Sequence, residues 1–326
     1  MDGSVTEKSD WAAQTKLSDR DMGKAISRAE RADDTGESLD ESLWTTLPTK
    51  TQIIGVTGPP GAGKSTLADK LIACARAQGL KVGVLAIDPS SPFSGGAILG
   101  DRVRMGGHAA DPNVFIRSMG SRTNLGGLAA ATRSAVRLLA ENGVDVVILE
   151  TVGVGQAELE IMHVADTVIV VVVPGLGDAV QMSKAGILEI ADAFVVNQSD
   201  RPEAKRTKAE LEQALMIGHK EGEMTTVTMT QATNGDGVDE LWKIVRSHFE
   251  RQVASGVLSA RRLVGQRQEI SDQVKKKIFR DLHAWLSGEE FLRLLHSKSS
   301  GAWTVNDLTT RASAAFLDRF RDPTRM

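Results

Sequence analysis

From residue 52 onward, short apolar runs rich in β-branched residues alternate with longer segments whose apolar residues recur at helical spacing. The apolar runs predict seven strands, with the sequences QIIGV, KVGVLAI, VFIRS, DVVILE, TVIVVVV, AFVVN and TTVTMT. Runs such as TVIVVVV are apolar at nearly every position, which is typical of strands buried on both faces of a parallel sheet. The segments between them predict helices at 65–78, 126–141, 203–217 and 237–250. This alternation predicts a doubly wound, mostly parallel α/β sheet over residues 51–250.

Two flanking regions show no strand signal. Residues 1–50 are polar apart from one helix-like segment, LSDRDMGKAISRAERAD, and we interpret them as an N-terminal helical extension, an appendage to the sheet domain. Residues 251–326 carry helical patterns near 257–286, 289–296 and 304–320. The sequence therefore predicts a central sheet domain at 51–250 between two helical extensions.

Charge and hydropathy narrow the class of protein. With 39 Lys and Arg against 42 Asp and Glu, the formal net charge of the 326 residues is −3. The residues from 251 onward hold 14 Lys and Arg against 8 Asp and Glu. Because no stacking aromatic residues interleave with these charges, we favour a solvated helix surface over a nucleic-acid surface. The longest apolar run is far shorter than the roughly 20 residues that span a bilayer, and the first ten residues lack the blocks of a signal peptide. These features predict a cytoplasmic protein that binds neither nucleic acid nor membrane.

The chain holds one cysteine. Cys74, in LADKLIACARAQ, cannot form a disulfide within the chain and is predicted to be a small buried residue of a helix. Redox or thiol catalysis is therefore not expected.

The segment GVTGPPGAGKST, residues 55–66, places a cation and two hydroxyls directly after a cluster of glycines and prolines. It fits the pattern G-x-x-x-x-G-K-[ST] between a predicted strand and a predicted helix, which is the context of a phosphate-binding loop. Glycines let successive backbone N–H groups point at phosphate oxygens, and the helix N-terminus adds positive potential. We expect Lys64 to contact the β- and γ-phosphates and Ser65 to bind Mg²⁺. The predicted phosphate-binding residues are Gly58, Pro59, Pro60, Gly61, Ala62, Gly63, Lys64, Ser65 and Thr66.

The strand AFVVN runs into NQSD at residues 197–200, a variant of the N-K-x-D box of GTPases. This box follows the carboxyl end of a strand, where ligands of open α/β sheets bind. The carboxylate of Asp200 can accept hydrogens from N1 and N2 of guanine, a pair that adenine lacks, so the sequence favours guanine. In TQATN, residues 230–234, the backbone N–H of Ala232 is expected to meet the guanine oxygen. Gln198 stands where lysine is usual, and we predict weaker nucleotide binding with an unchanged base preference.

Acidic residues follow or end two further predicted strands, where Mg²⁺ and the attacking water have to be bound. Asp88 follows KVGVLAI and Glu150 ends DVVILE, although each could also be a helix cap or a surface acid. Gly153 lies three residues after Glu150, which is the D-x-x-G spacing with Glu in the Asp position, so its N–H is expected to sense a γ-phosphate.

The sequence offers few groups to accelerate hydrolysis. No obvious water-aligning glutamine follows Gly153 unless Gln156 serves, which predicts slow intrinsic hydrolysis that a partner accelerates. Candidate charges for that role are Lys184, Arg102 and Arg104. For the two arginines a surface or structural salt bridge is the simpler interpretation.

Together these residues resemble one family, the GTPase chaperones of adenosylcobalamin-dependent acyl-CoA mutases, which form the MeaB/ArgK group within the G3E GTPases. The matching stretches cover about 55–200, and DPSSPFSGG and ETVGVGQ within them are specific to this group. The resemblance implies a P-loop GTPase fold and Mg²⁺- and GTP-dependent activity. Its implied site has Lys64, Ser65, Asp88 and Glu150 around metal and phosphates, with Asn197 and Asp200 on guanine.

The resemblance also implies partners. Members of the family bind a mutase, gate the delivery of intact adenosylcobalamin and help to eject damaged cofactor, with GTP hydrolysis as the timing step, and they commonly form homodimers through helical extensions. The segment GLGDAVQMSKAGIL resembles a mobile switch, whose residues Asp178, Gln181 and Lys184 are implied to approach the nucleotide when the mutase is bound. Two residues depart from the family pattern. Gln198 stands where lysine is usual, and Thr123 ends the stretch SRT, where SRG or SSG is usual.

Several alternatives stay open at the level of sequence. The mutase could be methylmalonyl-CoA mutase or a relative such as 2-hydroxyisobutyryl-CoA mutase. A P-loop kinase that phosphorylates a small molecule or a protein is a second function, although the guanine box argues against it because kinases usually take ATP. A GTPase that binds nucleic acid through the basic residues after 251 is a third. Metal delivery, the role of sister G3E branches, is disfavoured because the six histidines are scattered and show no metal-ligand spacing around Cys74.

Overall fold

The structure, a computed structural model, describes residues 17–35, 47–88, 106–108, 110–120, 127–151, 163–175, 187–218, 225–296 and 304–319. Within these ranges the strands are β1 (Gln52–Thr57), β2 (Val82–Asp88), β3 (Val114–Gly120), β4 (Val146–Thr151), β5 (Thr167–Val172), β6 (Ala193–Val196) and β7 (Thr226–Met229). The helices there are α1 (Asp19–Thr35), α2 (Lys64–Ala77), α3 (Gly127–Glu141), α4 (Ile187–Ile190), α5 (Ala204–Gly218), α6 (Val238–Ser255), α7 (Val257–Leu286), α8 (Glu289–His296) and α9 (Val305–Arg319).

The seven described strands form one parallel sheet in the order β3-β2-β4-β1-β5-β6-β7. All residues of β1, β4, β5 and β6 are buried, because successive side chains enter apolar clusters on opposite faces of the sheet. Along β1, for example, Ile53 belongs to the apolar cluster that includes residues of α1, α3 and α5, whereas Ile54 belongs to the cluster that includes residues of α2 and α6. The predicted fold class is confirmed, and each of the seven predicted strands is present.

The N-terminal helix α1 is part of this core. Met22 and Ile26 of α1 are buried in the same apolar cluster as Leu139 of α3. At the neighbouring edge of the sheet, the guanidinium of Arg117 in β3 donates to the carbonyl oxygen of Gly23 at 2.8 Å and to the hydroxyl of Ser27 at 2.9 Å. A helix that the sequence indicates as an appendage is thus packed against α3 and bonded to β3.

Two adjacent arginines join the start of α7 to the amino-terminal edge of the sheet. Arg262 donates to both carboxylate oxygens of Asp166, the residue before β5, at 2.9 and 2.7 Å. It also donates to the carbonyl oxygens of three residues that lead into β1, namely Leu47, Pro48 and Thr51. Arg261 makes a two-pronged ion pair with Asp192, the residue before β6, at 2.9 Å for both contacts.

The chain divides into two compact units, residues 1–268 and 269–326. Unit 2 consists of the end of α7 with α8 and α9. Its centre is aromatic: the ring of Trp285 lies 5.2 Å from that of Phe291 and 5.8 Å from that of Phe316. The boundaries that the sequence predicts at residues 50 and 250 stay a prediction. No helix in the described part of the chain has the length and apolar character to cross a membrane.

Candidate nucleotide-binding site

The predicted phosphate-binding loop connects the central strand β1 to α2, and close packing fixes its glycines. A Cβ atom on Gly58 would lie 2.1 Å from the carbonyl oxygen of Val171 in β5, and φ at Gly58 is +138°. Gly63, directly before α2, has φ of +86°, and a Cβ there would lie 2.3 Å from Nδ2 of Asn197. Glycine is therefore required at both positions, and the loop lies directly against β5 and against the predicted guanine box.

Lys64 is the first residue of α2 and is only 6% exposed. Its Nζ donates to the carbonyl oxygens of Gly58 at 2.7 Å and Pro59 at 2.9 Å. The ammonium group therefore lies at the start of the loop, beside the N-terminus of a 14-residue helix. Both the ammonium and the helix N-terminus favour an anion at this place.

The remaining residues of the loop differ in exposure. Ala62 is buried, Pro60 and Gly61 are exposed, and Pro59 and Thr66 are half-buried. The loop thus has an exposed rim above a buried base.

A hydroxyl and a carboxylate meet beside the loop. Oγ of Ser65 donates to Oε1 of Glu150 at 2.5 Å, and Glu150, near the end of β4, is only 6% exposed. Behind this pair, Oγ1 of Thr151 donates to Oγ1 of Thr57 at 3.0 Å, which joins the ends of β4 and β1. Asp88 is the last residue of β2, the strand beside β4, so its backbone lies at the same edge of the sheet.

Asn197 connects three loops at the carboxyl edge of the sheet. Its Nδ2 donates to the carbonyl oxygen of Ala62 in the phosphate loop at 2.8 Å. Its Oδ1 accepts from Oγ1 of Thr230 at 3.2 Å and from the backbone nitrogen of Ala232 at 3.1 Å. Asn197 is only 3% exposed, so these bonds form away from water. The phosphate loop, the guanine box and the TQATN loop are thereby held together.

Two residues of the guanine box differ in environment. Gln198 has φ of +56°, and Oε1 of its side chain is buried without a hydrogen-bond partner among the described residues. Asp200 is exposed at the edge of the site. The turn that carries them is fixed by backbone hydrogen bonds, because Ser199 N donates to Thr230 O and Arg201 N donates to Gln198 O, both at 3.0 Å.

The structure brings together the phosphate loop, Glu150, Asn197, Gln198, Asp200 and Ala232, all at one edge of the sheet. The predictions for Gly153, Gln156, Asp178, Gln181, Lys184, Arg102, Arg104 and Thr123, and for the side chain of Asp88, lie outside the described residues. Sequence reasoning missed Thr230, which is fully buried beside Asn197. Its position at the start of TQATN was the available signal.

The parallel sheet, the phosphate loop after its central strand and the asparagine-aspartate box after β6 define a P-loop GTPase. The sequence model of the family described as "Methylmalonyl Co-A mutase-associated GTPase MeaB" matches residues 22–286. The chain therefore belongs to the MeaB family of GTPases, which confirms the resemblance, and it is an enzyme that binds and hydrolyses a guanine nucleotide.

Individual relatives agree with this assignment. A protein of Pyrococcus horikoshii that is named as a GTPase is 44% identical over 294 residues, which are 89% of this chain and 92% of that protein. GTPase ArgK of Escherichia coli is 36% identical over 272 residues, which are 82% of this chain and 81% of that protein. The crystal structure of an LAO/AO transport system kinase shares the fold, with a TM-score of 0.63 at 24% identity over 93% of this chain and 100% of that chain.

Proposed function

We propose that this GTPase is a chaperone of an adenosylcobalamin-dependent acyl-CoA mutase. It gates the loading of adenosylcobalamin and protects or reactivates the mutase, either methylmalonyl-CoA mutase or a relative such as 2-hydroxyisobutyryl-CoA mutase. The observation that carries the proposal is the family match over residues 22–286, because the family's description names methylmalonyl-CoA mutase as the associated protein. The match includes the whole nucleotide site and all of α7.

In this proposal the guanine nucleotide lies across the carboxyl edge of the sheet. Residues 58–66 surround the phosphates, and the ammonium group of Lys64 contacts the β- and γ-phosphates. The carboxylate of Asp200 selects guanine. The backbone N–H of Ala232 donates to the guanine oxygen as well as to Oδ1 of Asn197, which lies 3.1 Å from the nitrogen of Ala232 in the structure. The expected loss of affinity from Gln198 in place of lysine is tested by Gln198→Lys, which should bind GDP more tightly.

The donor set beside the loop fits Mg²⁺. The hydroxyl of Ser65 and the carboxylate of Glu150 lie 2.5 Å apart, and oxygen atoms of this kind are the ligands that Mg²⁺ prefers. Asp88 at the end of β2 would supply a third oxygen. A bound Mg²⁺ would neutralise charge on the β- and γ-phosphate oxygens. Ser65, Asp88 and Glu150 would then hold the ion, while Lys64 and the backbone N–H groups of the loop orient the phosphates for attack by water.

Hydrolysis is proposed to be slow until the mutase binds. Phosphoryl transfer depends mainly on alignment and on positive charge around a loose transition state. Lys64 supplies one such charge, and Lys184 is proposed to supply a second, with Asp178 and Gln181 beside it. Gly153 is proposed to report the γ-phosphate through its backbone N–H. Loss of that phosphate would then change the surface that the mutase contacts.

A homodimer is also part of the proposal. In unit 2, Ile270, Val274 and Ile278 of α7 are each exposed by more than 40%, and their spacing of four residues places them on one face of the helix. The double variant Val274→Glu, Ile278→Glu should be monomeric by light scattering where the wild type is dimeric. The matched control is Met216→Glu in α5, which changes another exposed apolar residue and should stay dimeric.

The deciding experiment combines the protein with purified acyl-CoA mutases. GTP hydrolysis is measured with and without each mutase, and transfer of adenosylcobalamin to the apo-mutase is followed by its absorption spectrum. The proposal expects one mutase to accelerate hydrolysis and expects transfer to require GTP. Hydrolysis and transfer that no mutase changes would contradict the chaperone role. Recovery of the γ-phosphate on a third molecule, rather than as free phosphate, would instead indicate a kinase.

A further inference from the structure

Gln198 has two features that its own packing does not explain. Its backbone has φ of +56°, and it is the single residue other than glycine with positive φ in the described part of the chain. Its Oε1 atom is buried, and no described residue donates a hydrogen bond to it. Both features cost free energy, and a buried acceptor without a donor in a native structure calls for a physical explanation.

The position of Gln198 indicates what that reason is. The preceding residue, Asn197, bonds both to Ala62 in the phosphate loop and to Ala232 in the TQATN loop. Two residues further along, the exposed carboxylate of Asp200 is proposed to contact guanine. The buried oxygen therefore belongs to a turn between the phosphate-binding and base-binding parts of the site, which is where a nucleoside would lie.

The backbone leaves this turn little freedom. The carbonyl oxygen of Gln198 accepts from Arg201 N, and the next residue, Ser199, donates from its nitrogen to Thr230 O. The left-handed conformation at residue 198 is thereby held from both sides. A glutamine on a free loop would turn its carboxamide toward water, whereas here the acceptor stays buried.

We propose that the carboxamide oxygen of Gln198 accepts a hydrogen bond from the nucleoside of the bound guanine nucleotide. The donor is an N–H or O–H group, supplied either by the 2-amino group of guanine or by a ribose hydroxyl. The inference rests on the proposed function, since it requires a guanine nucleotide at this site. Gln198 then contributes to nucleotide affinity through an acceptor, a chemistry that the usual lysine could not provide because an ammonium group only donates.

This assignment predicts effects of opposite sign on stability and on binding. Gln198→Met keeps the length of the side chain but removes the buried polar group. The nucleotide-free protein should become more stable, because an unsatisfied acceptor is lost. Nucleotide binding should become weaker, because the hydrogen bond to the nucleoside is lost as well. A residue that only supports the fold would lower stability when it is replaced.

The experiment compares the full-length wild type with Gln198→Met and with Gln252→Met. Gln252 is the matched control, because Oε1 of its side chain is also buried without a partner among the described residues, while its Nε2 lies 3.2 Å from Nε2 of His248 in α6, away from the loop. Calorimetry measures the affinities for GDP, 2′-deoxy-GDP, 3′-deoxy-GDP and inosine diphosphate, which lacks the 2-amino group. Thermal unfolding without nucleotide measures stability.

The expected results are specific to each arm. Gln198→Met should bind GDP about 3- to 10-fold more weakly and should unfold about 2–4 °C higher. Gln252→Met should bind GDP as the wild type does. One analogue lacks the group that donates to Gln198. Relative to GDP, this analogue should lose more affinity for the wild type than for Gln198→Met, and the difference between the two losses identifies the donor group.

Two results would overturn the assignment: unchanged GDP affinity of Gln198→Met, or losses that are equal in both proteins for every analogue. If Gln198→Met does not fold, Gln198→Leu serves as the second variant. A wild type that binds ADP as tightly as GDP would refute the proposed guanine site itself, so the two failures can be told apart.

Discussion

Nδ2 of Asn197 donates a 2.8 Å hydrogen bond to the carbonyl oxygen of Ala62, across 135 residues of sequence. The same side chain accepts from Thr230 and Ala232 through Oδ1. One buried carboxamide thus satisfies polar groups of the phosphate loop and of the loop after β7. Asn197, which the resemblance implies to contact guanine, thus also connects the phosphate loop to the TQATN loop.

Replacement of Asn197 by alanine should therefore damage the fold as well as the site. Three buried polar groups would lose their partner, at a cost of roughly 3 kcal/mol in the free energy of unfolding. Urea unfolding without nucleotide measures this loss. The control is Asp200→Asn, at an exposed position, which should weaken GDP binding and leave the unfolding curve unchanged. Equal stability of Asn197→Ala and the wild type would contradict the role of Asn197 in connecting these loops.

The pair formed by Ser65 and Glu150 leads to a metal-dependent prediction. Ser65→Ala and Glu150→Gln should each lower the rate of GTP hydrolysis at saturating GTP and Mg²⁺ by about 100-fold, since each removes part of the proposed Mg²⁺ site. GDP affinity in the presence of EDTA should not change. Phosphate release assays and calorimetry provide the two measurements. A loss of GDP binding in EDTA would show that the pair supports the loop rather than a metal ion.

The ion pair of Arg262 with Asp166 should be strongly stabilising as long as both partners are present. Burial raises the pKa of Asp166, and the nearby Arg262 guanidinium opposes that rise. Arg262→Ala would leave a buried carboxylate without its cation and should cost about 3–5 kcal/mol in unfolding free energy. Arg206→Ala, which breaks an exposed pair with Glu210, is the matched control and should not change the unfolding free energy measurably. Similar curves for the two variants would refute the prediction.

His248 should make stability depend on pH. Burial lowers the pKa of His248 below its ordinary value of 6.5, and the nearby Asp192 carboxylate only partly opposes this. The unfolded chain therefore takes up this proton more readily than the folded protein. The contribution of neutral His248 to the free energy of unfolding is fully present above pH 6.5 and is lost as the pH falls below that value. Unfolding free energies measured at several pH values should fall less steeply below pH 6.5 for His248→Gln than for the wild type.

Cys74 should react slowly with thiol reagents. Cys74 is half-buried in α2 and not buried as the sequence predicts. This partial burial raises the pKa of the thiol to about 11, with a smaller effect from Asp239, whose Oδ1 lies 3.5 Å from Sγ of Cys74. Only the thiolate reacts, so at pH 8 about one molecule in a thousand is reactive. The rate of modification by a chromogenic disulfide should rise in urea, and Asp239→Asn should raise it moderately in the folded protein. A fast reaction of the folded wild type would contradict this account of the site.

The sheet could be predicted from sequence because its signals are local. Fully apolar runs mark strands that are buried on both faces, and the phosphate loop identifies β1 and α2. The guanine box could be assigned because it follows β6 directly.

The contacts that join these motifs could not be predicted in the same way. Asn197 meets Ala62, and Arg262 meets Asp166 across 96 residues, because the sheet order brings them together. Their residue types are ordinary at those positions in sequence. The polar composition of residues 1–50 likewise gave little indication that Met22 and Ile26 enter the core, since only one face of α1 is apolar.

The two arginines at the start of α7 also set a limit on how far the protein can be shortened. A fragment cut at residue 250 would leave Asp166 and Asp192 at the base of the sheet with their counter-charges removed. It would also free the segment that enters β1, because one guanidinium binds three of its carbonyl groups. An excised catalytic module that folds on its own must therefore keep the first turns of the following helix.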